Sequence, residues 1–277
     1  ILKTIFNIRI VVFVGAVALS IIGVLDAGSI VTSSADKGVL LGYGHANTFA
    51  GNAGLLIFLM FAICRNNIRK IHFIIAIIAD LLVFYFSRSR TSLVLISLLI
   101  FVLLLCRKVK GLDRKIIRSA KFALPLILLL IFSLIVIRSA GLAPQFIDVA
   151  DKIMNGRILL SCMNLEYYPV TLLGQKVDIS LIAADHTYYV LDNGFVYILI
   201  HYGIIGLLVI SGLQQRAIMR CTKIEDAVLC LISILIVCWM AYEGMMVSAT
   251  SNFSLLFSVA ALKRDTQYLG NPIGDVE

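Results

Sequence analysis

Charge is scarce in this chain. Of its 277 residues only 14% are Asp, Glu, Lys or Arg, against 60% apolar, and the mean hydropathy is +0.99. Such a balance excludes water as the main solvent and describes an integral membrane protein. Disulfide scaffolding is lacking too: Cys64, Cys106, Cys221, Cys230 and Cys238 lie in or beside apolar runs, and Cys162 stands in a more polar stretch with no obvious partner. There is no metal-ligand spacing, internal repeat, low-complexity linker or glycine-rich phosphate loop. The sequence therefore gives no support to a metal centre, a repeat array or a P-loop nucleotide enzyme, and no cofactor is expected.

What the chain does have is apolar runs. Stretches suited to crossing about 30 Å of hydrocarbon, at about 20 residues each, fall near 9–25, 48–64, 71–86, 91–106, 122–137, 193–212, 226–246 and 248–262. These predict an all-α fold, a polytopic membrane helix bundle of about eight spans forming a single membrane domain over 1–277. The chain opens at Ile1 inside this pattern with no cleavable signal, which leaves room for upstream helices and makes the count a minimum.

Orientation follows from lysine and arginine. With the N-terminus in the cytoplasm, the inner segments carry Lys3 and Arg9; Arg65, Arg69 and Lys70; the seven bases of 107–121; Arg216, Arg220 and Lys223; and Lys263 and Arg264. Only Lys37, Arg88, Arg90, Arg138, Lys152, Arg157 and Lys176 are left outside. That bias matches the positive-inside rule for eight spans with both ends in the cytoplasm. The net charge of +8 is then mostly topology and attraction to anionic lipid, and nucleic acid is not implied.

One large extracytoplasmic loop is expected over 138–192, 55 residues long. Loops of that length usually carry function or are disordered. Its apolar residues recur at helical spacing over 145–154 and 157–168, so short helices folded back over the membrane face are expected. Pro169 and Gly174 mark a turn beyond them, and a polar cluster including Asp185, His186, Tyr188, Tyr189, Asp192 and Asn193 leads into the next span.

Three constellations on the outer side are candidates for chemistry. Ser87-Arg88-Ser89-Arg90-Thr91-Ser92 sets two arginines where arginine is normally scarce. Guanidinium groups match phosphate oxygens, so Arg88, Arg90, Arg138 and Arg157 are candidates to grip a pyrophosphate; solvated or snorkelling side chains at helix ends are the plain alternative. Gly42-Tyr43-Gly44-His45-Ala46-Asn47-Thr48-Phe49 offers His45 and Asn47 as headgroup-level donors, although a capped helix entry explains the same residues. Asp192-Asn193-Gly194-Phe195-Val196-Tyr197 offers a carboxylate and an amide that suit a sugar hydroxyl, or alternatively an N-cap. His201 is expected to pack within its span. Of the carboxylates at membrane depth, Glu243 is the better site candidate, while Asp80 suits a bridge between helices equally well.

In order and spacing, Gly-Tyr-Gly-His-Ala-Asn at 42–47, Ser-Arg-Ser-Arg-Thr at 87–91, Asn-Gly-Arg at 155–157, Asp-Asn-Gly-Phe-Val-Tyr at 192–197, Tyr-Gly-Ile-Ile-Gly at 202–206 and Tyr242-Glu243 with Asn252 resemble the signatures of Wzy-type polysaccharide polymerases. These are the capsule, exopolysaccharide and O-antigen polymerases, related to the O-antigen ligases. The resemblance covers roughly residues 40 to 260. It implies a metal-independent glycosyltransferase on the outer face of the bacterial plasma membrane, passing a growing glycan from undecaprenyl pyrophosphate to a lipid-linked oligosaccharide repeat unit. Implied partners are that lipid-linked substrate, the bilayer, and chain-length regulator and flippase proteins. Arg88, Arg90 and Arg157 would stabilise the leaving pyrophosphate, and Asp192 would deprotonate or orient the acceptor hydroxyl. Relatives often have His-Asn at 192–193, which makes His186 a second candidate base. A flippase of lipid-linked oligosaccharides and a ligase with another acceptor are the alternative readings.

Overall fold

The computed structural model describes residues 1–25, 29–31, 37–43, 45–177, 192–248 and 251–259. Apart from one short pair of strands it is a helical polytopic architecture, with six helices among the described residues long and apolar enough to cross a membrane. They are α1 (Leu2–Ile21), α2 (Ala46–Cys64), α3 (Lys70–Ser87), α4 (Arg90–Lys108), α5 (Leu112–Ser139) and α8 (Gly194–Lys223). Two short helices, α6 (Pro144–Ile153) and α7 (Arg157–Tyr167), stand between α5 and α8, within a residue of the boundaries expected for the large loop. A further helix, α9 (Ala227–Met240), is followed by 3-10 turns over Gly244–Val247 and Phe253–Ser258.

Among the described residues six helices reach the length of a span where about eight spans are expected, and the difference lies at the C-terminal end. At 14 residues α9 is shorter than the expected 226–246 span, because the chain turns at Tyr242 and Glu243. The 248–262 run is no continuous helix over its described residues. Asn252 and Ser254 are wholly buried there and bonded to Gln214 of α8: Gln214 Nε2 donates to Ser254 Oγ at 2.9 Å, and Asn252 Nδ2 donates to Gln214 Oε1 at 3.1 Å. Polar groups satisfied in this way hold the segment against α8 instead of leaving it to face lipid.

Contacts divide the chain into two compact units. The first comprises residues 1–117 and 224–232 among those described. Its centre is α2, whose Leu55, Phe58, Leu59, Phe61 and Ala62 are fully buried, with α1, α3 and α4 packed around it. Two short strands between α1 and α2, β1 (Ser29–Val31) and β2 (Lys37–Val39), pair antiparallel with Ile30 opposite Gly38. Arg65, at the end of α2, pairs with Asp226 at 2.7 Å, and Asp226 also accepts the Leu229 N–H, capping α9. Asp80 of α3 accepts a hydrogen bond from Ser97 of α4 at 3.1 Å, the helix bridge that was one of its two expected roles. Outward residues such as Ile71, Ile74, Ile78, Leu81 and Leu82 of α3 stay exposed, as a lipid-facing surface requires.

The second unit comprises residues 118–223 and 233–262, as far as these are described. Its interior is formed by Phe195, Ile198 and Ile200 of α8, Trp239 and Met240 of α9, and Phe253 and Phe257 of the last turn. Helix α8 breaks at Gly203, whose φ of 69° and ψ of −170° are not helical. A strap of residues 171–175 lies along the break: the Ile204 and Ile205 N–H groups donate to the Thr171 and Leu172 carbonyls, and the Gln175 N–H donates to the Ile200 carbonyl. Only glycine fits on either side, since a Cβ at Gly203 would stand 2.4 Å from Leu172 O and one at Gly174 would stand 2.2 Å from His201 O. Gly174 (φ 86°) also provides the turn expected there.

Candidate functional site

Within the second unit, α6 ends in a tight reversal that begins α7. Asn155 and Gly156 both take positive φ, 56° and 80°, a conformation tolerated by Asn and natural to Gly. The Gly156 N–H closes the turn on Asp151 O at 2.8 Å. Asp151 Oδ1 then accepts the Ile158 and Leu159 N–H groups at 2.8 and 3.1 Å, satisfying the first turn of α7. The Asn-Gly pair thus aims the next residue, Arg157, inward, where it is only 5% exposed.

A buried guanidinium must be matched by acceptors, and Arg157 has three. Its Nε donates to Tyr242 O at 2.7 Å, and its Nη2 lies 3.0 Å from Glu243 Oε1 and 3.3 Å from Asp192 Oδ2. The guanidinium carbon also sits 5.7 Å from the Tyr242 ring centroid. Three of the candidate residues, separated by tens of positions in sequence, therefore meet at one point. Burial pushes the Glu243 carboxyl up to about 7, against the opposing pull of Arg157, and the nearby Asp192 charge adds to the rise.

Asn193 has a different task. Its Oδ1 accepts the Phe195 and Val196 N–H groups at 3.0 and 3.3 Å, the side-chain cap of α8. The two readings of Asp192-Asn193 are thus divided between the residues: Asn193 caps the helix, and Asp192, with a side chain 29% exposed, turns to Arg157. A narrow crevice beside them is lined by Arg157, Ser161, Asn164, Asp192 and Asn193, with Leu160 and Val196 as apolar wall. Arg157 and Asp192 give it one guanidinium and one carboxylate beside the Ser161 hydroxyl and the Asn164 and Asn193 amides, a balanced polar lining.

The other candidates are placed elsewhere. Arg138, near the end of α5, lies 3.1 Å from Asp148 and 4.0 Å from Asp151 of α6. His201 bonds through Nδ1 to the Tyr197 carbonyl at 3.1 Å and stacks on the Tyr197 ring. His186 lies outside the described residues. In the first unit, Arg88 in the link after α3 and Arg90 at the start of α4 are both exposed. Ser87 and Ser89 beside them are buried, and Ser87 Oγ accepts the Ser89 N–H at 3.1 Å, so the serines build the turn and the arginines project from it. Arg88 itself has φ 57° and lies 5.5 Å from the Tyr85 ring. His45 is the N-cap of α2, its Nδ1 accepting the Asn47 N–H at 3.1 Å. Tyr43 packs with Phe13 and Phe49. The capped helix entry accounts for this constellation, with His45 as the cap in place of Asn47 or Thr48.

Sequence reasoning missed Asp151, which positions Arg157 from six residues upstream, and the Tyr242 carbonyl. The Asn155-Gly156 pair was the available signal for the reversal. No family model, curated protein or solved structure matches the chain.

Proposed function

We propose that the chain is a Wzy-type polysaccharide polymerase, transferring a growing glycan from undecaprenyl pyrophosphate to a lipid-linked repeat unit on the outer face of the plasma membrane. The observation that carries this reading is the meeting of Arg157, Asp192 and Glu243 beside a crevice at the loop-facing end of a membrane helix. These are residues of three of the motifs on which the resemblance rests, and they converge although 86 positions separate Arg157 from Glu243.

The geometry changes the division of labour within that reading. Arg157 faces two carboxylates, so little positive charge is left over for pyrophosphate, and its role is to orient Asp192. Asp192 faces the acceptor hydroxyl, accepting its hydrogen bond and drawing off its proton as the new glycosidic bond forms. No metal takes part in this scheme. Arg88 and Arg90, in the first unit, are exposed and next to no carboxylate in sequence, and it is the resemblance that assigns them to the pyrophosphate.

One observation bears on the transporter alternative. A membrane helix broken as α8 is at Gly203 is a feature of transporters, where freed backbone groups bind substrate or ions. Here the Ile204 and Ile205 N–H groups and the Ile200 carbonyl are already paired with the strap, which favours a fixed scaffold over an ion site.

The test is to incubate the purified protein in lipid with undecaprenyl-pyrophosphate-linked repeat units, without nucleotide sugar, and resolve the products by glycan length. Products at multiples of the repeat unit are expected. Single units from folded protein, with movement of the substrate across the bilayer, would transfer the assignment to transport.

A further inference from the structure

Helix α6 is short and two-sided in an unusual way. At about 100° per residue, Phe146, Val149 and Ile153 fall within an arc of about 60°, and they are 62%, 60% and 74% exposed. The residues by which α6 packs onto its own unit, buried Ile147 and Asp151, are centred about 150° away around the helix. The apolar arc therefore points away from the protein. Leu142, in the link to α5, extends the same apolar exposure at 60%.

The level of α6 relative to the membrane is fixed by α5. That helix has 28 residues, about 42 Å in length, and its lipid-facing side runs through Phe122, Leu126, Leu129, Leu130 and Val136, all more than half exposed. Its bases Arg114, Lys115, Arg118 and Lys121 mark one membrane surface, and Arg138, one residue from the other end, marks the opposite surface. Arg138 is the residue that reaches α6, at 3.1 Å from Asp148 and 4.0 Å from Asp151. Only residues 140–143 separate the two helices. An apolar helix face held by a headgroup-level arginine, and continuous through Leu142 with the lipid-facing side of a span, meets lipid.

We propose that α6 is an interfacial helix whose Phe146, Val149 and Ile153 lie in the lipid of the membrane that α5 crosses. Exposed Lys152 and Gln145 lie at the edge of the arc, where polar groups meet headgroups. The surface takes the bilayer as its partner and is independent of any transferase activity.

The experiment uses the full chain in phosphatidylcholine vesicles, with nitroxide attached to Phe146→Cys, Val149→Cys and Ile153→Cys in turn, and to Lys152→Cys on the polar edge. The unsubstituted chain, labelled in parallel, corrects for its native cysteines. Collisions with oxygen, which concentrates in lipid, are compared with collisions with a water-soluble nickel chelate. The proposal expects the three arc positions to favour oxygen and position 152 to shift toward the chelate. Chelate-dominated collisions at all four positions would overturn it in favour of a water-facing helix. Low collision rates with both reagents at the arc would overturn it in favour of a protein partner. Because three arc positions are labelled separately, a variant that fails to fold leaves two others to decide.

Discussion

Arg157 donates from Nη2 to Glu243 at 3.0 Å, and both side chains are buried. An arginine isolated at this depth would be costly, and so would the carboxylate without it. The pair holds the start of α7 against the turn after α9. Arg157→Ala should destabilise the protein by about 3–5 kcal/mol, seen as a large fall in thermal unfolding temperature in detergent. Arg157→Met combined with Glu243→Leu should recover most of that loss while leaving the protein inactive. Recovery of activity together with stability would mean the charges serve only the fold.

The same pair sets a pH dependence. Burial raises the Glu243 carboxyl from its ordinary value to about 7, so the folded protein binds a proton there more readily than the unfolded chain does. The contribution of this group to stability is therefore greatest below the ordinary glutamate range of about 4.3 and is lost as pH rises through about 7. Glu243→Gln cannot ionise and should flatten that part of the profile. Unfolding temperatures of the two proteins, measured from pH 5 to pH 8, check this: parallel profiles would place the Glu243 titration elsewhere.

Where α8 breaks, the strap leaves no room for a side chain. Gly203→Ala and Gly174→Ala each combine positive-φ strain of about 1–3 kcal/mol with overlap against backbone. Both should lose folded protein, read as monodisperse yield in detergent. Gly212→Ala, with nothing within 4 Å of its added Cβ, should be tolerated and serves as the control.

Neighbouring residues at the start of α8 should separate cleanly. Asn193→Ala removes the cap and should cost about 1 kcal/mol, whereas Asn193→Asp or Asn193→Ser should restore it. Unfolding temperature is the readout. An unchanged temperature for Asn193→Ala would show that the cap contributes little to α8.

Much of this fold can be read from the sequence. The first six apolar runs stand where helices stand, and the short helices of the large loop begin and end within a residue of expectation, because a period near 3.6 and a Pro or Gly at each boundary are local signals. The described part of the 248–262 run departs from a continuous helix for a non-local reason: Asn252 and Ser254 look merely polar in an apolar run until Gln214, 38 positions from Asn252, supplies their partner. The same limit applies to the site. Arg157, Asp192 and Glu243 were each candidates, but residue type alone did not reveal that the arginine spends its charge on the two carboxylates. Nor did it separate Asp192 from Asn193, since either side chain can cap a helix.

The claim that matters most is the proposal that Asp192 acts on the acceptor while Arg157, itself fixed by Glu243, holds Asp192 in place. It is tested by Asp192→Asn in the reconstituted assay with lipid-linked repeat units, alongside the unfolding temperature of the same preparation. Because Asn193 carries the cap and the Asp192 side chain is partly exposed, the variant should unfold within a few degrees of the parent and produce no ladder of glycan multiples. A full ladder from Asp192→Asn would contradict the account.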